Sequence, residues 1–316
     1  MDIIIVCHTE FGFVNTGEVI FAKEATDGVK VGCPNLIKLA DKYGAKITFA
    51  VCPEVAEYFP VRINHEIGLH IHPGWQEINY KNFNWPAGDR YLRDNSQQSS
   101  SSGVLRDYPY VEQLGMIRKG KEYLTDRFGK EPNVFVAGRW SVNNDTVKVL
   151  METGFTHDCS AVPHQKPCHY DWSKLPRICM PYRPSREDYQ KRGDLPVLLV
   201  PISQFFPSGS VNPETAPLVG ISWLKACFLE YYRQDVPLFH ICLHSPAMTY
   251  GYFISAMENI LSFISKRKDI NFKFASEIRE YPEKEFKTSV APYLLRLNKE
   301  IIISCFKKVA KTLIRG

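Results

Sequence analysis

The sequence predicts an α/β fold built on a parallel sheet. Short β-branched apolar runs alternate with longer amphipathic ones, and the apolar runs lack the in–out alternation of a half-exposed strand. A length of 316 residues suits one large α/β domain or two ordinary ones, and 44% hydrophobic with 23% charged residues is a soluble globular balance. The nine cysteines are odd in number, scattered and free of any CxxC spacing. Cys7, Cys52 and Cys242 lie in or beside apolar runs, so they read as buried free thiols, which favours a reducing compartment and a cytoplasmic setting.

In chain order the expected strands are DIIIVC (2–7), KITFAV (46–51), EIGLHI (66–71), NVFVAG (133–138), PVLLVP (196–201), PLFHICL (237–243) and INFKFA (270–275). Between them CPNLIKLADKYG, YVEQLGMIRKGKEYLTDRFG, NNDTVKVLMETG and YFISAMENILSFISKR carry helical spacing. Gly44, Gly129 and Gly154 suit helix ends, and Asn144 or Asp145 is a reasonable N-cap for the third helix. Seven such strands suit a closed barrel as well as an open sheet. The serine-rich piece DNSQQSSSSG (94–103) reads as a surface loop, either shaping a site or inert. The N-terminus has no basic region before its apolar run and reads as a first core strand rather than a signal peptide. No run approaches the roughly 18 apolar residues of a membrane span.

Net charge is +5, and it is uneven. Of 39 basic and 34 acidic residues, six and one fall from Arg296 onward, leaving 33 of each sign before it. No nucleic-acid surface is expected, because that needs a distributed basic face. The chain divides into a domain over 1–285 and a basic amphipathic tail over 286–316. In the tail Ile302, Cys305 or Phe306, Val309 and Leu313 share helical spacing. Peripheral membrane contact, packing on the domain, and a second copy of the chain are all open partners for that face.

The chemistry concentrates in HEIGLHIHPGW (65–75). On a strand His70 and His72 point to one side while Ile71 points away, and Pro73–Gly74 ends the strand there. VCHTEFG repeats the spacing with His8 and Glu10. Two imidazoles and a carboxylate at the C-terminal ends of parallel strands match a catalytic metal site with an open position, so Glu10, His70 and His72 are the expected ligands of one divalent metal, zinc first among candidates. His65 falls on the opposite face and reads as structural.

With those residues in place, HEIGLH after the acidic first-strand motif resembles the polysaccharide deacetylases, the NodB-like domains of carbohydrate esterase family 4. VAGRWSVNNDTVKVLMETGFTHDCSAV resembles a stretch of the subgroup tied to lipopolysaccharide and surface-glycan biosynthesis, and LFHICLHSP is similar to the family's late Leu-x-His strand. The resemblance spans roughly Asp2 to Ile278. It implies a distorted (β/α)7 barrel, a divalent metal, and removal of an acetyl group from an N-acetylated sugar, whether glycan precursor or polysaccharide. By position it implies that Glu10 and His70 bind metal, that Arg139 orients the base, that His244 is the general acid and that Leu243 lines the acyl-methyl pocket.

Two departures stand out. The family's second metal histidine lies four residues after the first, where this chain has Gly74, so His72 is the expected substitute. His8 occupies the place of the base aspartate, and it is either a neutral base, a fourth ligand or a sign of changed chemistry. Arg139 is then expected to pair with Asp158 or Glu10. Trp75, Trp140 and Tyr182 suit stacking on sugar faces. His240 reads as a buried structural histidine, and Cys168 with His169 lacks the second pair a structural zinc needs. The rival readings are an amidohydrolase acting on another C–N bond and a catalytically silent sugar-binding domain.

Overall fold

A computed structural model of the chain describes residues 1–21, 25–73 and 104–305. Trp75, the serine-rich piece and residues 306–316 of the basic tail lie outside the described residues.

Eight strands form one parallel sheet: β1 (Asp2–Thr9), β4 (Thr48–Val51), β5 (Glu66–Ile71), β6 (Val134–Ala137), β7 (His157–Asp158), β8 (Leu198–Leu199), β9 (Leu238–His244) and β10 (Asn271–Phe272). The order from β1 runs β4, β5, β6, β7, β8, while β9 pairs along the other side of β1 and β10 meets its first residues. The sheet curls on itself. Beyond β8, Ser203 donates its backbone N–H to the His240 carbonyl and accepts the His240 N–H on its hydroxyl, which ties the last strands to β9. A small antiparallel hairpin, β2 (Phe13–Asn15) and β3 (Glu18–Ile20), stands beside the strand ends. All seven expected strands are present, and β7 is the eighth.

Side-chain alternation sorts β1 into two cores. Ile4 and Val6 meet Ala50, Val134, Val136, Cys159, Leu198, Val200 and Leu238 inside the curl. Ile3, Ile5 and Cys7 face outward onto the helices α1 (Cys33–Tyr43), α2 (Tyr110–Phe128), α3 (Asn144–Glu152), α4 (Ile221–Arg233) and α5 (Gly251–Ile264). Both layers are closed to solvent, which explains the unbroken apolar runs.

The helix ends follow local chemistry. Gly44 and Gly129 close α1 and α2 in the left-handed conformation that glycine adopts without steric cost. The N-cap of α3 is Asn143, one residue before the expected pair. Its side chain accepts the Thr146 N–H at 2.8 Å while the Thr146 hydroxyl accepts from the Asn143 N–H, a capping box worth about 1 kcal/mol. Sequence periodicity misses α4, because this helix buries Trp223, Leu224, Ala226, Cys227, Phe228, Leu229 and Tyr231 and so presents no polar stripe over most of its circumference.

Residues just past 286 make contacts to the rest of the chain. Ser289 N–H and the Tyr293 hydroxyl donate to Glu230 at 2.7 and 2.8 Å, Glu230 pairs with Arg177 in the core, and Asn298 donates to the Val219 carbonyl. The chain is therefore docked on the domain as far as the buried Ile301. Beyond Tyr293 the surface carries exposed Leu294, Leu295, Leu297, Ile302 and Ile303. All nine cysteines are free thiols.

Candidate active site

The C-terminal ends of β1, β4, β5 and β9 lie side by side, and each delivers polar groups to one place. In register His8 pairs with Ala50 of β4 and His244 of β9, which puts its ring on the inner face beside the ends of both neighbours. Glu10, one residue past β1, is held by its backbone N–H to the Ser245 hydroxyl at 3.3 Å. Gly32 packs so tightly against Ser245 that a Cβ there would sit 2.1 Å from the Ser245 carbonyl oxygen.

His70 Nδ1 lies 2.9 Å from the Val136 carbonyl, so Nδ1–H donates and Nε2 is left with its lone pair toward Glu10, 4.0 Å from Oε2. Cys52 completes the group: its sulfur, a Glu10 carboxylate oxygen and a His70 nitrogen all lie within 4.8 Å of one another, and all three residues are buried. Burial pushes His70 down to about 4, so it is neutral at neutral pH as a ligand must be. A carboxylate, a neutral imidazole and a thiol are a donor set that fits a divalent cation, zinc included. Among the described residues His72 is outside this group. Its ring centre is 6.0 Å from that of His70 at 77°, and the group instead includes Cys52, which sequence reasoning read only as a buried thiol at a strand end.

His8 stands between the rings of His70 and His244, 4.9 Å from each. Burial, then the neighbouring histidines His244 and His70, hold it well below the usual range. His244 is the partly open member, with Nε2 3.8 Å from Glu10 Oε1 and Nδ1 3.1 Å from Glu214 Oε1. Glu214 also accepts the His244 backbone N–H at 2.7 Å, which fixes the carboxylate behind the ring. Burial alone would lower His244, but Glu214 and then Glu10 raise it above the usual value. Glu214 had no sequence signal, since it comes from a separate turn (Pro213–Thr215) capped by Asn212.

Arg139 and Trp140 follow β6 with φ of 52° each, a left-handed pair that costs about 1–2 kcal/mol per non-glycine residue. The turn brings Trp140 edge-on to His8 at 5.9 Å and within 6.3 Å of His244. Arg139 does not meet Asp158. It is exposed, and its guanidinium lies 3.0 Å from His169 Nε2. Asp158 takes the buried helix-side face of β7, in register with Phe135 and Leu199, where its Oδ1 accepts the Ser160 hydroxyl and the Ser160 N–H at 3.2 Å. The orienting role expected of Asp158 toward Arg139 therefore has no contact behind it.

Two further expectations are corrected by alternation and burial. Leu243 faces the outer core with Ile3, Ile5 and Cys7, the opposite side of β9 from His244. Tyr182 is 1% exposed, with its hydroxyl on the Tyr189 carbonyl, so no sugar can reach it. His240 is a core histidine with Nδ1 3.2 Å from both the Val200 and Pro201 carbonyls.

No protein-family model matches the chain. A structure from Mycobacterium smegmatis assigned as a polysaccharide deacetylase superposes with a TM-score of 0.54 at 18% identity, covering 86% of this chain and 87% of that one. One so assigned from Pseudomonas aeruginosa PAO1 gives 0.52 at 16% identity over 87% and 88%. The fold is that of the polysaccharide deacetylases. The Puue allantoinase shares it, with a TM-score of 0.56 at 15% identity over 87% and 88%. By sequence, a peptidoglycan deacetylase of Helicobacter pylori (strain ATCC 700392 / 26695) is 22% identical over 280 residues, covering 79% of this chain and 83% of that relative. Among the described residues no helix is long and apolar enough to cross a membrane.

Proposed function

We propose that this chain is a metal-dependent deacetylase that removes the acetyl group of an N-acetylated sugar in a glycan or a glycan precursor. One observation carries the reading. A buried carboxylate–imidazole pair, Glu10 and His70, faces a glutamate-backed histidine, His244, across the ends of adjacent parallel strands. The deacetylase fold and the peptidoglycan deacetylase relative support the substrate class.

Glu10 and His70 hold the cation, which when bound polarises the acyl carbonyl and acidifies the attacking water. The chain's own residues do the rest. His244, held upright by two contacts to Glu214, delivers a proton to the leaving amine nitrogen. His8 lies beside both His70 and His244, in position to accept the proton of the attacking water. Trp140 walls the histidine cluster, and Arg139 sits at the exposed rim, where a charged or hydroxylated substituent can reach it. Such positioned proton transfers contribute about 10²- to 10⁴-fold.

The test is acetate release from N-acetylated oligosaccharides, peptidoglycan fragments and nucleotide-linked N-acetyl sugars by zinc-loaded protein, with Glu10→Ala as the silent control. No acetate from any of them overturns the reading. A second reading, hydrolysis of a cyclic amide, is favoured by the shared fold of the allantoinase. Turnover of cyclic ureides without acetate release would select it.

A further inference from the structure

We propose that Cys52 is a ligand of the metal ion, so that the site is glutamate–cysteine–histidine and not glutamate with two histidines. The inference rests on the metal-dependent reading above and adds to it a thiolate that favours a soft divalent cation such as zinc or cobalt over magnesium or manganese.

The topology places the sulfur there. β4 lies between β1 and β5 and pairs with both, so its end falls between the ends that carry Glu10 and His70. Cys52 is the first residue past β4, and its N–H donates to the Thr9 carbonyl at 2.9 Å, which locks it against the end of β1. Sulfur, carboxylate oxygen and imidazole nitrogen all lie within 4.8 Å of one another. Bond lengths of about 2.0–2.3 Å to one cation would bring them roughly an ångström closer, a movement within reach of side-chain rotation.

A thiol kept only to fill a core belongs among apolar atoms. Cys7 and Cys52 both border the outer apolar core, but the sulfur of Cys7 meets the Thr9 hydroxyl, whereas that of Cys52 has the Glu10 carboxylate and the His70 imidazole within 4.8 Å. Coordination forms a metal–sulfur bond as the S–H bond gives up its proton to solvent, with no change of oxidation state.

Cobalt(II) titration of the metal-free full chain tests this. Wild-type protein and His72→Ala should both develop visible ligand-field bands and an intense near-ultraviolet sulfur-to-cobalt band. Cys52→Ser should lose the sulfur band and bind cobalt at least about 100-fold more weakly. Visible bands without a sulfur band in the wild type, or a sulfur band retained in Cys52→Ser, would overturn the assignment and leave the metal reading standing. Absence of any cobalt binding to the wild type would overturn both. Should Cys52→Ser fail to fold, X-ray absorption on the zinc-loaded wild type decides. One sulfur at about 2.3 Å is expected, and a shell of nitrogen and oxygen alone refutes it.

Discussion

Asp158 stores a pH-dependent instability that can be read directly. Its carboxyl is fully buried, one oxygen accepts both bonds from Ser160, and Oδ2 has no hydrogen-bond partner among the described residues. Burial lifts it from the ordinary 3.8 to about 7, against the smaller opposing pull of Ser160. Below the lower value both folded and unfolded chains hold the proton, and nothing is lost. As the pH rises the unfolded chain ionises first, so stability falls until the folded carboxyl ionises too. The gap corresponds to about 4 kcal/mol in total, of which about 3 kcal/mol accrues between pH 5 and pH 8. The Asp158→Asn variant keeps an acceptor toward Ser160 and cannot ionise. Its amide carries a constant cost, so the informative quantity is the change with pH. Urea unfolding of both proteins at pH 5, 6, 7 and 8, followed by tryptophan fluorescence, should show the variant gaining about 3 kcal/mol on the wild type across the range. A difference that stays flat with pH would mean that the carboxyl titrates normally and that its burial has been misjudged.

Glu214→Gln should lower acetate release by tenfold or more without unfolding the chain, and His244→Ala by roughly 10²- to 10⁴-fold, because the first unseats the proton donor and the second removes it; steady-state kinetics on one saccharide checks both. Zinc at 100 to 1,000 times its Kd should stabilise the metal-free chain by roughly 3–4 kcal/mol in thermal unfolding, a gain that Glu10→Ala abolishes. Gly138→Ala should cost about 1–3 kcal/mol and weaken metal binding, since its Cβ would lie 2.7 Å from the Ile71 carbonyl and 2.8 Å from the His72 Cα, forcing apart the ends of β5 and β6; urea titration and cobalt affinity measure the two effects. Reversing Lys299, Lys307, Lys308 and Lys311 to glutamate should release the chain from anionic vesicles in sedimentation if the exposed Leu294, Leu295 and Leu297 surface meets lipid, and unchanged binding refutes that contact.

Much of the scaffold is legible in the sequence because its physical cause is local. A strand buried on both faces must be apolar throughout, and DIIIVC, EIGLHI and PLFHICL announce themselves in that way. The amphipathic α1 and α3 are visible because one face meets water, whereas α4 is hidden because most of its surface is buried. The β2–β3 hairpin is only three residues a side and half-exposed, too short for any period to register.

Pleat and strand direction are properties of each segment, so the residue order alone puts Glu10 and His70 at the ends of parallel strands on a shared face. Their company depends on packing between distant segments. Cys52 and Glu214 arrive from positions 42 and 204 residues away from Glu10, placed by strand order and by a capped turn that no spacing rule encodes. The same long-range packing set Asp158 against Ser160 and left it and Leu243 on the helix side, and turned Arg139 out to His169. Alternation fixes which face a side chain takes; which residues meet on that face is settled by the curl of the whole sheet.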